Sequence, residues 1–159
     1  MAITPPALDD DAGCLICRIN NGTEPVPHGL LYEDDLWVVR HMPPPYAVAG
    51  WLVLQTRRHC PEPAQFNDRE AVSFGPVLRL CEAVLLRVTG AARIYTAALG
   101  EKVRHVHVHM VPRYDPPAEG ALGWDLFGLE RRAAAGEFVV AEADVARVVQ
   151  AFRQKMTAI

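Results

Sequence analysis

Hydrophobic positions fall along this chain in two alternating rhythms. From Gly29 onward, LLYE (30–33) and LWVVR (36–40) flank the acidic turn Asp34-Asp35 and predict a strand pair. MPPPYAVAG (42–50) then excludes regular structure, because three adjacent prolines remove donors and fix φ. WLVLQT (51–56) returns to strand composition. Asn67 followed by Glu70 forms a capping-box pattern. Behind it Phe74, Val77, Leu78, Cys81, Val84, Leu85 and Val88 recur at three and four, the stripe of a helix that covers a sheet. Gly75-Pro76 predicts a shortened or kinked first part of that helix, and Gly90 its stop. Ala92–Ala98 and Val103–Val111 predict two further strands, separated near Leu99-Gly100. DPPAEGALGWDLF (115–127) reads as a long surface loop and EFVV (137–140) as a short strand. A final helix is expected over 142–155, with Val145, Val148, Val149 and Phe152 on one side. Strands, helix, strands and helix in this order predict an α+β domain: one antiparallel sheet of about five strands with a long helix and a C-terminal helix.

Composition narrows the function classes. The 159 residues fit one domain, with 50% apolar and 22% charged residues, which excludes wholesale disorder. A formal net charge of -3 excludes a generic basic nucleic-acid scaffold, leaving room only for a local basic pocket. No apolar run approaches the roughly 20 residues that span a bilayer, so no membrane partner is expected. Residues 1–12 read as a floppy acidic tail ahead of a domain over 13–159. That start lacks the basic region of a signal peptide, and a cytoplasmic location is expected. The cysteines are Cys14, Cys17, Cys60 and Cys81, too few for a secreted disulfide scaffold. The CLIC segment (14–17) leaves two readings open, a redox pair or half of a metal site.

The sharpest chemistry lies in H-V-H-V-H, residues 105–109. On a strand, Val106, Val108 and Met110 face the core. His105, His107 and His109 then line the other side, with successive Cα atoms roughly 6.6 Å apart. Packing alone does not call for three imidazoles on one face. A neutral imidazole is both a nucleophile and a proton carrier near neutral pH, so the cluster suits phosphoryl or metal chemistry.

Residues 100–113, GEKVRHVHVHMVPR, resemble the signature of the histidine triad (HIT) superfamily of nucleotide hydrolases and transferases, whose motif alternates histidines with apolar residues. CLIC, LLYEDDLWVV, WLVLQT and the RRH at 57–59 extend the likeness over roughly Cys14 to Tyr114. The resemblance implies a covalent nucleotidyl-histidine mechanism. His107, the middle member, would attack the α-phosphorus, and His109 would hold the phosphate. The substrate would be a nucleoside phosphoramidate, a nucleotide conjugate or a dinucleoside polyphosphate. A transferase or phosphorylase with a non-water acceptor, and a catalytically weak nucleotide-binding protein, are the alternatives. The zinc-bearing branch, similar in its Cys-x-x-Cys, implies one structural Zn²⁺ per chain on Cys14, Cys17, His59 and His105, with Cys60 a minor substitute for His59. No organic cofactor is expected. The family likeness also implies a homodimer acting on a small-molecule nucleotide.

Two departures bear on the substrate site. Where many relatives carry an aspartate before the proline loop, this chain has Arg40-His41, and His41 is taken as a substrate-binding candidate. Glu101 stands four residues before the first triad histidine, where relatives carry Gln or Asn, and is a second candidate. Arg113 shares the odd parity of the triad and is a third, a phosphate ligand by charge.

Overall fold

The computed structural model describes residues 13–158. The acidic segment 1–12 lies outside the described residues. Nine α-helices and β-strands follow in order: α1 (Leu15–Asn20), β1 (Leu30–Glu33), β2 (Trp37–His41), β3 (Leu52–Thr56), α2 (Asp68–Thr89), β4 (Arg93–Ala97), β5 (His107–Arg113), α3 (Asp125–Ala134) and α4 (Glu142–Met156), with one turn of 3-10 helix at Pro63–Gln65 before α2. The strands make one antiparallel sheet in the order β1-β2-β3-β5-β4. The α+β architecture expected from the hydrophobic pattern is the one found.

Burial explains the strand compositions. Every residue of β2 and β3 is buried, because both faces of the sheet centre are covered. On one face α2 and α4 close a core that includes Trp37, Leu52, Leu54, Leu85, Val108, Met110 and Phe152. On the other, α3 packs beside β5 over a smaller cluster of Val48, Trp51, Val111, Leu126 and Leu129. The rest of that second face stays open, and there the histidines stand.

Helix α2 starts as its sequence dictates. Asn67 Oδ1 accepts the Glu70 N–H at 2.9 Å and Glu70 Oε2 accepts the Asn67 N–H at 2.9 Å, the reciprocal bonds of a capping box. Glu70 is itself buried and clamps Arg58 at 2.7 and 3.1 Å, so the cap also ties the helix to the chain leaving β3. Pro76 does not shorten the helix, which runs on to Thr89. Its missing N–H would have met the carbonyl of Val72, and both residues lie on the exposed side, where water serves that carbonyl. Gly90 ends the helix in the left-handed region at φ 64°.

The C-terminal third departs from expectation. The segment read as one long loop turns helical at Asp125, giving α3, whose Leu126, Leu129 and Ala133 are buried. EFVV forms no strand. Phe138 and Val140 pack against the two apolar clusters while Val139 between them is 89% exposed. The strand expected from Val103 begins only at His107, and the short helix α1 carries the CLIC cysteines.

Candidate active site and metal centre

Strand β5 lies between β3 and β4, with Gln55 opposite His107, and Val53 and Ala97 on either side of His109. This register sends His107 and His109 onto the open face, their rings 5.2 Å apart and nearly perpendicular. His105 precedes the strand. Its fully buried ring sits 5.2 Å from that of His59 instead. The three triad imidazoles therefore divide, one to a cysteine cluster and two to a cleft.

The cluster is built from three parts of the chain. Cys14 caps α1 and Cys17 lies one turn on, so both sulfurs face the same way. His59 follows β3, and His105 arrives from the segment before β5. Cys14 Sγ and Cys17 Sγ lie 3.4 and 3.5 Å from His105 Nδ1, and Cys17 Sγ lies 3.3 Å from His59 Nδ1. All four donor atoms fall within 4.8 Å of one another. A tetrahedral ion bound at about 2.3 Å to sulfur and about 2.0 Å to nitrogen requires sulfur–nitrogen edges near 3.5 Å, so the residues present fit such an ion. The tautomer fits as well. His105 Nε2 donates to the Thr56 carbonyl at 2.8 Å, which leaves Nδ1 unprotonated toward the sulfurs. Cys60, next to His59, turns away and donates its thiol to the Glu62 carbonyl at 3.3 Å. Cys81 is buried in the main core, its thiol pushed up to about 12 by that burial. None of the four cysteines forms a disulfide.

The other two triad rings hold opposite tautomers. His107 Nδ1 lies 2.6 Å from the His105 carbonyl oxygen, which can only accept, so Nδ1 carries the proton and Nε2 keeps its lone pair. His109 Nδ1 accepts the Trp51 indole N–H at 3.1 Å, so its proton sits on Nε2. Burial lowers the pKa of both, opposed at His107 by its bond to the His105 carbonyl. Repulsion between the protonated forms of the two rings depresses His109 further, and the Arg40 cation depresses both. His109 falls to about 4. Both rings are thus neutral at neutral pH, one offering a lone pair and the other an N–H.

They line a cleft of about 430 Å³ with Arg40, His41, Glu101 and Lys102. Glu101 is exposed at its rim. His41 is not available as a hydrogen-bonding substrate ligand. Its Nδ1 donates to the Met42 carbonyl at 2.7 Å and its Nε2 accepts the Gly50 N–H at 3.0 Å, so it clasps the loop between β2 and β3. Gly50 is needed there: at φ +88° it adopts a conformation L side chains avoid, and an added Cβ would meet Pro112, Thr89 and Val148 at 3.1–3.2 Å. Nor does the structure bring Arg113 to the cleft. Six residues along an extended strand carry it roughly 20 Å from His107, where it pairs with Asp115 at 3.7 Å.

The His41 clasp predicts a pH dependence. Burial drops its pKa to about 4, against about 6.5 in the unfolded chain. Between those values the unfolded chain binds the extra proton. The clasp's contribution is therefore complete above about pH 6.5 and fades as pH falls toward 4, by at most ~1.4 kcal/mol per pH unit. Urea denaturation at about pH 7 and about pH 5 should show the loss, and His41→Gln should shrink it. An unchanged pH dependence in that variant would contradict the assignment.

Sequence reasoning did not single out Arg40, Gln55 and Asn20 as a unit, nor the Trp51 bond to His109. Arg40 Nε donates to Gln55 Oε1 at 3.0 Å, and Gln55 Nε2 donates to Asn20 Oδ1 at 2.7 Å. The one available signal was the polar pair that closes each of two strand runs, VVRH and VLQT.

Comparison with known proteins agrees with this geometry. No curated protein matches the sequence. Among solved structures, a HIT-like protein involved in cell-cycle regulation from Bartonella henselae superposes with a TM-score of 0.67 at 13% identity, over 91% of this chain and 96% of that one. A zinc-bound histidine triad family protein from Mycobacterium smegmatis gives 0.64 at 18% identity, over 92% and 98%. A HIT family member from Bacillus subtilis gives 0.56 at 19% identity, over 81% and 99%. At such identities these likenesses speak for the fold. No helix among the described residues is long and apolar enough to cross a membrane. The model of the HIT domain matches residues 24–116, more than half of the sequence and all of the sheet, and the chain belongs to the HIT family.

Proposed function

We propose that the chain is a nucleotidyl hydrolase that works through a covalent intermediate on His107. The complementary tautomers of His107 and His109 carry this reading. The Nε2 lone pair of His107 attacks the α-phosphorus of a nucleoside phosphoramidate, nucleotide conjugate or dinucleoside polyphosphate. A phosphorus–nitrogen bond forms, and the bond to the leaving group breaks with its electron pair, the leaving atom taking a proton from solvent. Water then attacks phosphorus, the bond to Nε2 breaks, and the water's proton leaves to solvent. His109 Nε2–H donates to a phosphoryl oxygen as charge builds there. The imidazolium-like ring of the intermediate keeps its Nδ1–H on the His105 carbonyl, which stabilises the positive charge.

The metal belongs to the same proposal. Cys14, Cys17, His59 and His105 would hold Zn²⁺, whose role there is to fix the segment before β5, since four protein ligands leave no open position for substrate. The ligand class is a small nucleotide, and the family resemblance adds a homodimer.

Rapid acid quench of protein mixed with an adenosine phosphoramidate, followed by intact-mass and peptide analysis, tests the reading. A nucleotidyl adduct confined to the peptide carrying His107 is the expected result. Turnover without any adduct at early times would contradict it.

A further inference from the structure

Arg40 is the feature of the cleft that the hydrolytic chemistry does not use. It is only 7% exposed, and burial lowers its pKa to about 10 without neutralising it at physiological pH. A buried guanidinium ordinarily pairs with a carboxylate. This one has no ion pair among the described residues: its Nε binds the neutral Gln55 amide at 3.0 Å, and its Nη1 reaches the His41 carbonyl at 3.4 Å. Those bonds use two of five N–H donors. Among the described residues, the buried side-chain polar atoms without a partner are Thr56 Oγ1 and Arg113 Nε and no Arg40 nitrogen is one of them, so its unbonded Nη2 reaches the open cleft that Arg40 lines. The charged groups that share the cleft are Glu24, Glu101, Lys102 and Glu130. Glu24 is paired with Arg18 at 3.4 Å, and the other three are exposed.

The register places this cation beside the reacting group. Arg40 lies opposite Val53, which lies opposite His109, and the Gln55 that holds its Nε lies opposite His107. Adjacent strands are about 4.8 Å apart, so the guanidinium stands within roughly one strand spacing or two of the His107 ring.

We propose that Arg40 forms an anion subsite adjoining His107, so that the preferred substrate carries a second anionic group, a phosphate or a carboxylate, next to the phosphorus under attack. This rests on the reading of the cleft as a phosphoryl-transfer site and adds to it what the leaving portion must look like. The desolvation already spent on Arg40 becomes affinity when an anion completes its hydrogen bonds. A neutral substituent in the same place would leave the cation buried and unmatched, which is discrimination against it.

Calorimetric titration with pyrophosphate and with inorganic phosphate tests the subsite without requiring turnover. Wild type is expected to bind pyrophosphate at least about 10-fold tighter than phosphate, the worth of one or two charge-assisted hydrogen bonds. Arg40→Gln should remove most of that preference and change phosphate binding by less than about threefold, while Arg40→Lys should retain part of it. Loss of both ligands in equal proportion, or unchanged pyrophosphate binding in Arg40→Gln, overturns the proposal. Should that variant not fold, equal affinity of wild type for the two ligands overturns it as well. Turnover of adenosine phosphoramidates with alanine or with ethylamine as leaving group separates a carboxylate from a phosphate as the second anion. If no phosphoramidate reacts while the Arg40-dependent preference for pyrophosphate stands, the hydrolase reading fails and the subsite survives.

Discussion

His107→Ala is expected to lower turnover by at least about 10⁴-fold, because it removes the nucleophile and leaves only the binding groups to act. The fold should hardly notice. The ring is half-buried at the edge of an open cleft, and its one hydrogen bond among the described residues is to the His105 carbonyl, which water can serve once the ring is gone. Thermal denaturation of the variant should therefore superimpose on wild type to within a few degrees, about the shift produced by 1 kcal/mol in a chain of this length. The two measurements together are what matters. A variant with wild-type melting and wild-type rates would remove His107 from the mechanism. One that is inactive because it is unfolded would show it in the melting curve.

Metal removal should act on stability as well. Four donors from α1, the end of β3 and the approach to β5 converge on one point, beside a small apolar cluster in which Cys14, Ile16 and Cys17 of α1 and its cap meet Val103. Without the ion, two thiols and two imidazoles are left buried against each other. Chelation, or Cys17→Ser, is expected to lower the melting temperature by on the order of 10 °C, corresponding to a few kcal/mol. That is less than the binding energy seen in small zinc domains, because the main sheet core here folds around α2 and α4 rather than around the metal. Elemental analysis gives the companion readout: one zinc per chain in wild type and none in the serine variant. Zinc-free wild type with an unchanged melting curve would defeat the assignment.

The elements that could be read in advance are those whose signals are local. The strand composition of LLYE and LWVVR on either side of an acidic turn, the Asn67–Glu70 box and Gly90 each specify their own backbone, and β1, β2 and both ends of α2 lie where they indicate. Pro76 misled because a proline's effect on a helix depends on which side faces water. Helix α3 was hidden in a stretch opening on Pro-Pro and carrying Gly120 and Gly123, and it forms because Leu126 and Leu129 find an apolar patch made by Val48, Trp51 and Val111. No local pattern announces a patch assembled from three distant segments. The candidate site divides along the same line. Cys14, Cys17, His59 and His105 were available from the family resemblance, and His107 and His109 from strand parity as well. The sequence offers Arg40 and His41 side by side before the proline loop without deciding between them, whereas the register puts Arg40 on the face of His107 and His109 and both nitrogens of His41 bond to the backbone.

His105 joins the two halves of the molecule's chemistry. Its imidazole belongs to the cysteine cluster, while its carbonyl, a few bonds away, sets the proton on His107. A slight drift of that one peptide would release the His107 ring to rotate or to exchange tautomers, long before the sheet came apart. Starvation for the ion would thus silence the protein while most of it was still folded, and resupply could restore it without passage through the ribosome or a chaperone.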